Sequence, residues 1–567
     1  MKKRLSLVAV LLAFLLVFAS CGSNTPNKGD NNSSGANAAG LTVVNAADMS
    51  KNPAAAAGRK DTMVIGVADM TAIWSEPFGS NSYDWYVCET MFDDLIRSTP
   101  DGKVEENAAT YKVSDDGLVY TFTIKDNVNY WDGNPATAKD IEWMFYVLAD
   151  PNFAGSADIT TAGIKGLKDY KEGSATTISG INVVNDKTIE VTLDAPNAPG
   201  IWNLGLIPLM EKSHYAPDFK KGDAKALEEK LSTPMGTGQY KFVSYTPGTV
   251  KLVANEKYFK GVPNIKNLEF SVTPEGKELQ RVQAGETDMD NATCNEDNIA
   301  SMKNSGFISA YYFPTNGYGM IQWNLTDPRF SDVRVRQALA YALNREAVVK
   351  QVYGPYGKVN SVPLPQGSWG WTNKDINDYK FDIKKAKDLL KEAGWTLDSN
   401  NKLVKDGKPF VIDFIATEGN SVTDVMLPVM KKDYLELGIT VNIEAADWNT
   451  LYQGYVDGKN DASFMGQGLS SPDPDPSTNF LTGSTQNYYK YSNPEVDKLI
   501  NEELKESDPA KRIEIFHKLD KILNTELPLF PIYQRNDMFV INGRIGNVPA
   551  FGAFRDPYLD VYKYTIK

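Results

Sequence analysis

Residues 112–143 read KVSDDGLVYTFTIKDNVNYWDGNPATAKDIEW, in which signals for a strand, a turn and a helix follow one another directly. Apolar and polar residues alternate in the first half, which predicts a strand whose apolar face carries Leu118, Tyr120, Phe122 and Ile124. The WDG triplet predicts the turn, and Thr137 stands three residues before Asp140, the spacing of a helix-capping box. The same alternation of strand and helix signals continues along the chain, so the predicted fold class is α/β.

Helical patterns are strongest in the C-terminal half. Residues 331–352 repeat apolar side chains at helical spacing, and the charged residues are expected on a solvated or ion-paired face: Arg334, Arg336, Arg345 and Glu346. A further helix is predicted from Asp382 to a terminating Gly394. Two more are predicted to begin at Pro494 and Pro509, because proline fits the first helical position.

The composition excludes several functional classes. A chain of 567 residues with 42% hydrophobic content can bury a large core in more than one domain. Its net charge of −13, without a basic block, argues against nucleic acid as a partner. The two histidines, His214 and His517, are too few for a histidine-rich metal site, and HExxH, P-loop, GxSxG and CxxC motifs are missing from the sequence. We therefore expect no metal, no cofactor and no enzymatic activity.

The N-terminal residues predict export and lipid attachment. Basic residues, an apolar run and two small residues precede Cys21, so residues 1–20 resemble the signal peptide of a bacterial lipoprotein, with Cys21 as the lipidated residue. The alternative is ordinary secretion with an incidental cysteine. Residues 21–59 begin with a Gly-, Ser- and Asn-rich stretch, which predicts a flexible tether. We expect an extracytoplasmic protein anchored to the membrane by lipid, at a Gram-positive cell surface. Cys88 and Cys294 can pair or stay free.

Six motifs, taken together and in order, resemble the extracellular solute-binding proteins of peptide and nickel ABC importers. They are the 112–143 stretch, PMGTGQYKF (234–242), QAGETDMD (283–290), DVRVRQALAYALNRE (332–346), YYKYSNPEVDKLI (488–500), and AKRIEIFHKLDKIL with PLFPIY (510–533). Asn344 departs from the family, which usually has aspartate there. The resemblance covers roughly residues 62–540.

The resemblance implies a two-lobed, class II periplasmic-binding-protein clam with an additional inserted domain. Its parts would be a discontinuous lobe I (60–103, 233–311 and 535–567), an inserted domain (104–232) and lobe II (312–534). The ligand would be enclosed between the lobes, and the closed form would be presented to a permease. The implied partners are the permease and ATPase subunits of an ABC importer, and a monomer is expected.

The stretch DASFMGQGLSSPDPDP (461–476) departs from the peptide binders of the family. Gln467 stands at the usual tryptophan and Ser470 at the aspartate that holds a peptide ammonium, while Asp473 could substitute if it is not part of a surface turn. Tyr455 and Phe464 stand where some relatives have arginines. By position in the family, the ligand-binding candidates are Trp448, Tyr455, Phe464, Gln467, Ser470, Asp473, Asn81, Tyr83 and Asn291. The stretch LPQGSWGW (364–371) could add Trp369 or Trp371. For each aromatic candidate, core packing is the alternative.

These observations lead to one functional interpretation with stated alternatives. The chain is interpreted as a substrate-binding lipoprotein that captures oligopeptides or dipeptides and delivers them to an ABC permease. Aromatic faces with one amide and one hydroxyl would also suit an uncharged oligosaccharide, which is the first alternative. A surface peptide sensor or pheromone receptor is the second. Nickel or haem is a less favoured cargo, because the sequence has no cluster of histidine or cysteine.

Overall fold

The computed structural model describes residues 40–79, 81–469, 471–484 and 486–567. The predicted signal peptide, the predicted lipid-attachment residue Cys21, the first part of the predicted tether and Ser470 lie outside the described residues. No helix within these ranges is long and apolar enough to cross a membrane.

The described residues contain 24 strands. They are β1 (Thr42–Val44), β2 (Thr62–Val67), β3 (Ile96–Ser98), β4 (Val104–Glu106), β5 (Ala109–Val113), β6 (Val119–Ile124), β7 (Ile181–Val183), β8 (Thr188–Thr192), β9 (Tyr240–Thr246), β10 (Thr249–Ala254), β11 (Asn267–Val272), β12 (Met289–Asn291), β13 (Ile308–Pro314), β14 (Gly317–Trp323), β15 (Gly357–Val359), β16 (Thr396–Leu397), β17 (Leu403–Lys405), β18 (Lys408–Pro409), β19 (Val411–Thr417), β20 (Thr440–Ala446), β21 (Ala462–Gly468), β22 (Leu529–Asn542), β23 (Ile545–Gly546) and β24 (Thr565–Ile566).

Seventeen α-helices alternate with these strands in the described ranges. They are α1 (Ala54–Gly58), α2 (Ser82–Met91), α3 (Ala138–Leu148), α4 (Leu167–Glu172), α5 (Gly200–Gly205), α6 (Lys212–Tyr215), α7 (Glu278–Ala284), α8 (Glu296–Ser305), α9 (Pro328–Ser331), α10 (Val333–Ala342), α11 (Arg345–Tyr353), α12 (Ile383–Glu392), α13 (Ser421–Leu435), α14 (Trp448–Val456), α15 (Ser477–Phe480), α16 (Pro494–Glu503) and α17 (Pro509–Glu526). Short 3-10 helices cover Met49–Lys51, Ile159–Ala162, Ala224–Lys230, Gly354–Tyr356 and Pro557–Lys563.

One 13-stranded sheet runs through most of the molecule, and its long strand β22 belongs to both halves. The main path of the sheet is β20-β19-β21-β14-β22-β12-β2-β11-β10-β9. The first part of β22 pairs with β14 and β15, whereas the part from Asn536 onward pairs with β13. We call the half with β2 and β9–β13 lobe I, and the half with β14, β15 and β19–β21 lobe II.

A separate antiparallel sheet lies within the segment that the family resemblance assigns to an inserted domain. Its strand order is β5-β6-β8-β7, and α3 contacts β7 and β8. The predicted strand is present as β6, in which Tyr120, Phe122 and Ile124 are buried. The capping box is also confirmed, because the Asp140 carboxylate accepts hydrogen bonds from the Thr137 N–H at 2.9 Å and the Thr137 hydroxyl at 2.7 Å.

The structure differs from the sequence prediction at the C-terminal end of the tether. Strand β1 pairs antiparallel with β13, so that Thr42 lies opposite Tyr312 and Val44 opposite Ala310. The residues from 42 onward are therefore part of lobe I and not a flexible linker up to residue 59. The physical reason is that the valines of β1 complete the hydrogen bonding of a strand that otherwise forms a sheet edge.

The predicted helix over 331–352 is interrupted, and two of its arginines are not on a solvated face. Leu343 has extended backbone angles, which separates α10 from α11, and Asn344 caps α11 by accepting a hydrogen bond from the Ala347 N–H. Arg336 and Arg345 are buried, with 6% and 3% of their surface exposed. Their guanidinium groups donate to backbone carbonyls of distant segments instead of pairing with carboxylates. Arg334 behaves as expected, in an exposed ion pair with Asp332, and Glu346 is likewise exposed.

Candidate functional site

Two chain crossings connect the lobes, and they are fastened to each other. The chain passes from β13 to β14 between Pro314 and Gly317, and it passes back within β22. At the crossing the Thr315 N–H donates to the Arg535 carbonyl at 3.0 Å, and the buried Gln534 amide donates to the Thr315 carbonyl at 2.5 Å. Paired crossing strands of this kind form a hinge, about which two lobes can rotate as rigid bodies.

On lobe I, helix α2 carries two of the predicted site residues. Asn81 is its N-cap, and its side-chain oxygen accepts a hydrogen bond from the Tyr83 N–H at 2.8 Å. Tyr83 is 37% exposed, and its ring centroid lies 6.0 Å from that of Tyr86 on the next turn. The third candidate, Asn291, is exposed at the end of β12. Asn81 therefore positions the helix, whereas Tyr83 and Asn291 are available for contact.

Four carboxyl groups on the same lobe lie close enough to influence one another's pKa, and the sequence interpretation missed them. All four residues are half-buried, and one oxygen of Glu89 is buried without a hydrogen-bond partner: Glu76, Glu89, Asp94 and Asp556. Burial is the largest cause of the raised pKa of all four carboxyl groups. The pKa of Asp556 rises to about 6. Mutual repulsion raises the pKa of Glu89 further, through Asp556 and Glu76. The only sequence signal was the spacing of Tyr83, Tyr86 and Glu89 along one face of α2.

The arginines closest to this acidic group are already paired with other carboxylates. Arg97 donates to Asp93 at 2.9 Å, and Arg555 donates to Asp560 at 2.7 Å. The four carboxyl groups make no ion pair with any side chain in the described ranges. The charge of Arg97 lowers the pKa of Glu76, Glu89 and Asp94, but burial outweighs this effect, so the ionised forms of these carboxyl groups are disfavoured and a bound cation would stabilise them.

On lobe II, the predicted residues Trp448 and Tyr455 belong to a larger aromatic surface. Trp448 is 47% exposed and stacks on Tyr452, with ring centroids 5.6 Å apart. Tyr452 contacts Tyr488 at 6.2 Å, and Tyr488 contacts Tyr455 at 5.2 Å. We call these four residues the aromatic surface. Tyr452 and Tyr488 were not predicted, although Tyr452 lies one helical turn from Trp448.

Strand β21 carries two more predicted residues, and they lie on opposite faces of the sheet. Phe464 is 5% exposed and its ring stacks on Tyr533 within the core of lobe II, so core packing describes this residue. Gln467 is half-buried, and its side-chain oxygen accepts a long hydrogen bond of 3.4 Å from the Tyr318 hydroxyl. The structure thus does not bring Phe464 and Gln467 to one surface.

The last two candidates meet around a buried arginine. Arg512 on α17 forms a two-pronged ion pair with Asp473, with N–O distances of 2.7 and 2.9 Å, and a third hydrogen bond of 2.7 Å with Glu503. Its guanidinium also lies 4.9 Å from the ring centroid of Trp369. We call Asp473, Glu503, Arg512 and Trp369 the arginine cluster. Asp473 is already neutralised there, so it is not a free anchor for a ligand ammonium.

The arginine cluster adjoins the points at which lobe II touches the rest of the protein. Pro472, next to Asp473, lies so close to Gly102 that a Cβ added to Gly102 would be 3.2 Å from its ring, and Gly102 has a positive φ of 79°. Leu504, next to Glu503, accepts a hydrogen bond of 2.8 Å through its carbonyl from the Ala198 N–H in the inserted segment. Lobe II therefore contacts both the turn between β3 and β4 and the inserted segment.

The remaining chemistry is sparse within the described residues. Cys88 and Cys294 are both buried and free, and burial raises the pKa of the Cys294 thiol to about 12. Three or more histidine, cysteine, aspartate or glutamate side chains do not come together as metal ligands in these parts of the chain.

Comparison with solved structures identifies the class to which this hinged, two-lobed architecture belongs. The structure of the oligopeptide-binding protein AppA from Bacillus subtilis, in complex with a nonapeptide, superposes with a TM-score of 0.78 and 24% identity. It covers 90% of this chain and 99% of that chain. The fold is therefore the class II, two-lobed clam of periplasmic solute-binding proteins, as expected.

The family follows from the sequence comparisons. The family model of bacterial extracellular solute-binding proteins, family 5, matches residues 103–489, and the chain belongs to this family. Heme-binding protein A of Haemophilus influenzae is 28% identical over 441 residues, covering 75% of this chain and 78% of that protein. Oligopeptide-binding protein OppA of Bacillus subtilis is 27% identical over 596 aligned positions, covering 98% and 100%. Members of the family are binding proteins for transport and not enzymes, so the prediction of no enzymatic activity is confirmed.

Proposed function

We propose that this chain is the lipid-anchored substrate-binding component of an ABC importer, which encloses peptides between its lobes and delivers them to the permease. Cys21 would carry the lipid, and the tether would keep the protein close to the permease, raising its effective concentration there. The relatives support peptide as the cargo, since one is an oligopeptide-binding protein and another holds a nonapeptide.

The observation that carries the peptide proposal is the acidic group on lobe I, whose four carboxyl groups have raised pKa values and whose ionised forms a ligand cation would stabilise. A peptide with a free amino terminus offers an ammonium, which forms strong charge-assisted hydrogen bonds with carboxylates in an enclosed site. Such an anchor would take the place of the ionic contact that neither Ser470 nor the neutralised Asp473 supplies. A neutral sugar would leave these carboxyl groups unpaired.

An oligosaccharide remains the second candidate, because one observation favours it. Trp448 and Tyr452 stack on each other and are 47% and 39% exposed, an area of aromatic ring on which a sugar could lie. The same surface would also accept apolar side chains of a peptide.

Native mass spectrometry of residues 40–567, purified without denaturation, tests the proposal. Adducts that fragment to amino acids support a peptide-binding protein, and Trp448→Ala should reduce their retention. Hexose-spaced adducts would reject peptide as the cargo in favour of the sugar. If the protein is empty, thermal stabilisation by peptides but not by oligosaccharides supports the proposal, and the reverse result rejects it.

A further inference from the structure

A small pocket on lobe II lies beside the aromatic surface. It forms where the end of α14 meets the distal ends of β14 and β21, and its walls include Gln322, Tyr455, Ser463, Tyr488 and Tyr489. Gln322 on β14 lies directly opposite Ser463 on β21 in the strand register. The pocket is therefore built on two paired central strands, which hold its floor rigidly.

The side chain of Gln322 is the unusual feature of this pocket. It is only 4% exposed, yet its carbonyl oxygen has no hydrogen-bond partner among the described residues. Its amide nitrogen has only a weak contact of 3.9 Å with the Met320 sulfur and an interaction with the Tyr455 hydroxyl. A buried polar atom without a partner destabilises the fold, so its position in a pocket points to a bound group that supplies the missing hydrogen bond.

The walls define the chemistry of that group. The rings of Tyr455 and Tyr488 meet edge to face at 5.2 Å, and Tyr489 is 6.5 Å from Tyr455 with its hydroxyl already donating to the Asn479 carbonyl. Aromatic rings and the uncharged polar side chains of Asn324, Asn460 and Ser463 share the lining with Gln322, and no charged side chain lines the pocket within the described residues. An ammonium or a carboxylate would be buried there without a counter-charge, which is costly.

A hydroxyl group meets all of these conditions. It is uncharged and small, and it can donate to the amide oxygen or accept from the amide nitrogen, so it suits either rotation of the Gln322 amide. Its carbon atoms can pack against the tyrosine rings. The run of aromatic contacts from Trp448 through Tyr452 to Tyr488 connects the pocket with the exposed part of lobe II.

We propose that this pocket is a specificity subsite for a hydroxyl group of the ligand, with Gln322 as its hydrogen-bond partner. The inference rests on the proposed function, because the ligand must lie along lobe II. Threonine, serine or tyrosine side chains of a peptide would supply the hydroxyl, and sugar hydroxyls share the same chemistry.

The test measures dissociation constants by isothermal titration for the unliganded chain from residue 40 onward. The first probes are glycine–alanine nonapeptides that carry a single threonine at each position in turn, each compared with the isosteric peptide that carries valine there. A second series of the same design compares tyrosine with phenylalanine. Maltohexaose is the sugar probe. At one position we expect the peptide with threonine or tyrosine to bind about fivefold to tenfold more tightly than the matched peptide with valine or phenylalanine. This ratio corresponds to one buried hydrogen bond. Gln322→Leu should abolish that preference. Gln337→Leu, the same change on helix α10 away from the pocket, should keep it.

The possible results separate this inference from the proposed function. If peptides bind the wild-type protein without any preference for a hydroxyl group, the subsite proposal is overturned and an ordered water is the occupant of the pocket. The proposed peptide-binding function stands in that case. This result requires no variant. A preference that survives Gln322→Leu also overturns it. Binding of maltohexaose but not of peptides, weakened at least fivefold by Gln322→Leu, supports the subsite and rejects the peptide proposal. Binding of none of the probes rejects both.

Discussion

Each lobe contains a cluster of carboxyl groups shielded from solvent, and the two clusters differ in which cationic side chains pair with them. In lobe II, Asp473 and Glu503 share Arg512 in a compact, hydrogen-bonded arrangement. In lobe I, the group around Glu89 and Asp556 has no such arginine, because the nearby guanidinium groups are bound elsewhere. Carboxyl groups that share an arginine serve the fold, even though burial still raises the pKa of Glu503 to about 8. Carboxyl groups left without an arginine, at some cost in stability, are available for a ligand.

Removal of the arginine should produce the largest effect. Arg512→Met leaves Asp473 and Glu503 buried without their partner, so we expect the free energy of unfolding to fall by about 3–5 kcal/mol. Urea denaturation followed by tryptophan fluorescence measures the loss. Arg334→Met removes an exposed ion pair with Asp332 and serves as control, with an expected change of about 0.5 kcal/mol or less. Equal effects of the two variants would contradict the structural role of the arginine cluster.

The acidic group of lobe I should respond most strongly in ligand binding. The double change Glu89→Gln with Asp556→Asn keeps the shapes of the side chains but prevents them from ionising. We expect about tenfold weaker binding of a nonapeptide with a free amino terminus, the size of a charge-assisted hydrogen bond, and little change for its acetylated form. Isothermal titration of both peptides gives the comparison, and Asp115→Asn at an exposed position controls for net charge. If the two peptides lose affinity equally, the ammonium is bound elsewhere.

The pH dependence of stability should expose the same carboxyl groups. Burial raises the pKa of Asp556 from 3.8 to about 6, so between these values the folded state binds more protons than the unfolded state. The stabilising contribution is therefore complete below pH 3.8 and is lost as the pH rises through 6, a fall of about 1 kcal/mol once solvent screening is allowed for. Asp556→Asn should flatten this part of the profile in urea titrations from pH 4 to 7. A profile identical to wild type would show that Asp556 titrates normally.

The smallest expected effect concerns Trp369, which the sequence places among the ligand contacts. Its ring faces the Arg512 guanidinium, so Trp369→Leu should lower the free energy of unfolding by about 0.5–1 kcal/mol through loss of the cation–π contact. Peptide affinity should stay within twofold. A large loss of peptide affinity at unchanged stability would instead show that Trp369 contacts the ligand.

Sequence patterns predict those parts of the fold that depend on neighbours along the chain. The capping box at Thr137, the cap at Asp382 and the helices that begin at Pro494 and Pro509 are all confirmed, because each uses contacts within one helical turn. The six motifs also lead to the correct family, since they preserve the order of such local elements.

Contacts between distant segments explain where the sequence interpretation falls short. The prediction that Arg336 and Arg345 lie on the surface is wrong, because they donate hydrogen bonds to the carbonyls of Leu527 and Pro531. No local sequence pattern encodes contacts between segments so far apart in the chain. Asp473 forms an ion pair with Arg512, which lies 39 positions later in the sequence. This candidate anchor for a ligand ammonium is therefore a structural residue. The acidic group of lobe I draws on residues 76–94 and on Asp556, so only the folded chain assembles it.

The sharing of β22 between the lobes also has a consequence for biosynthesis. This strand occupies residues 529–542, so neither half of the large sheet can be completed until β22 has been synthesised. Sequence-distant pairing of this kind delays folding, because the partners in both lobes must wait for a strand that emerges after them. A nascent chain that lacks β22 therefore leaves β12, β13, β14 and β15 without a strand with which each of them pairs in the large sheet.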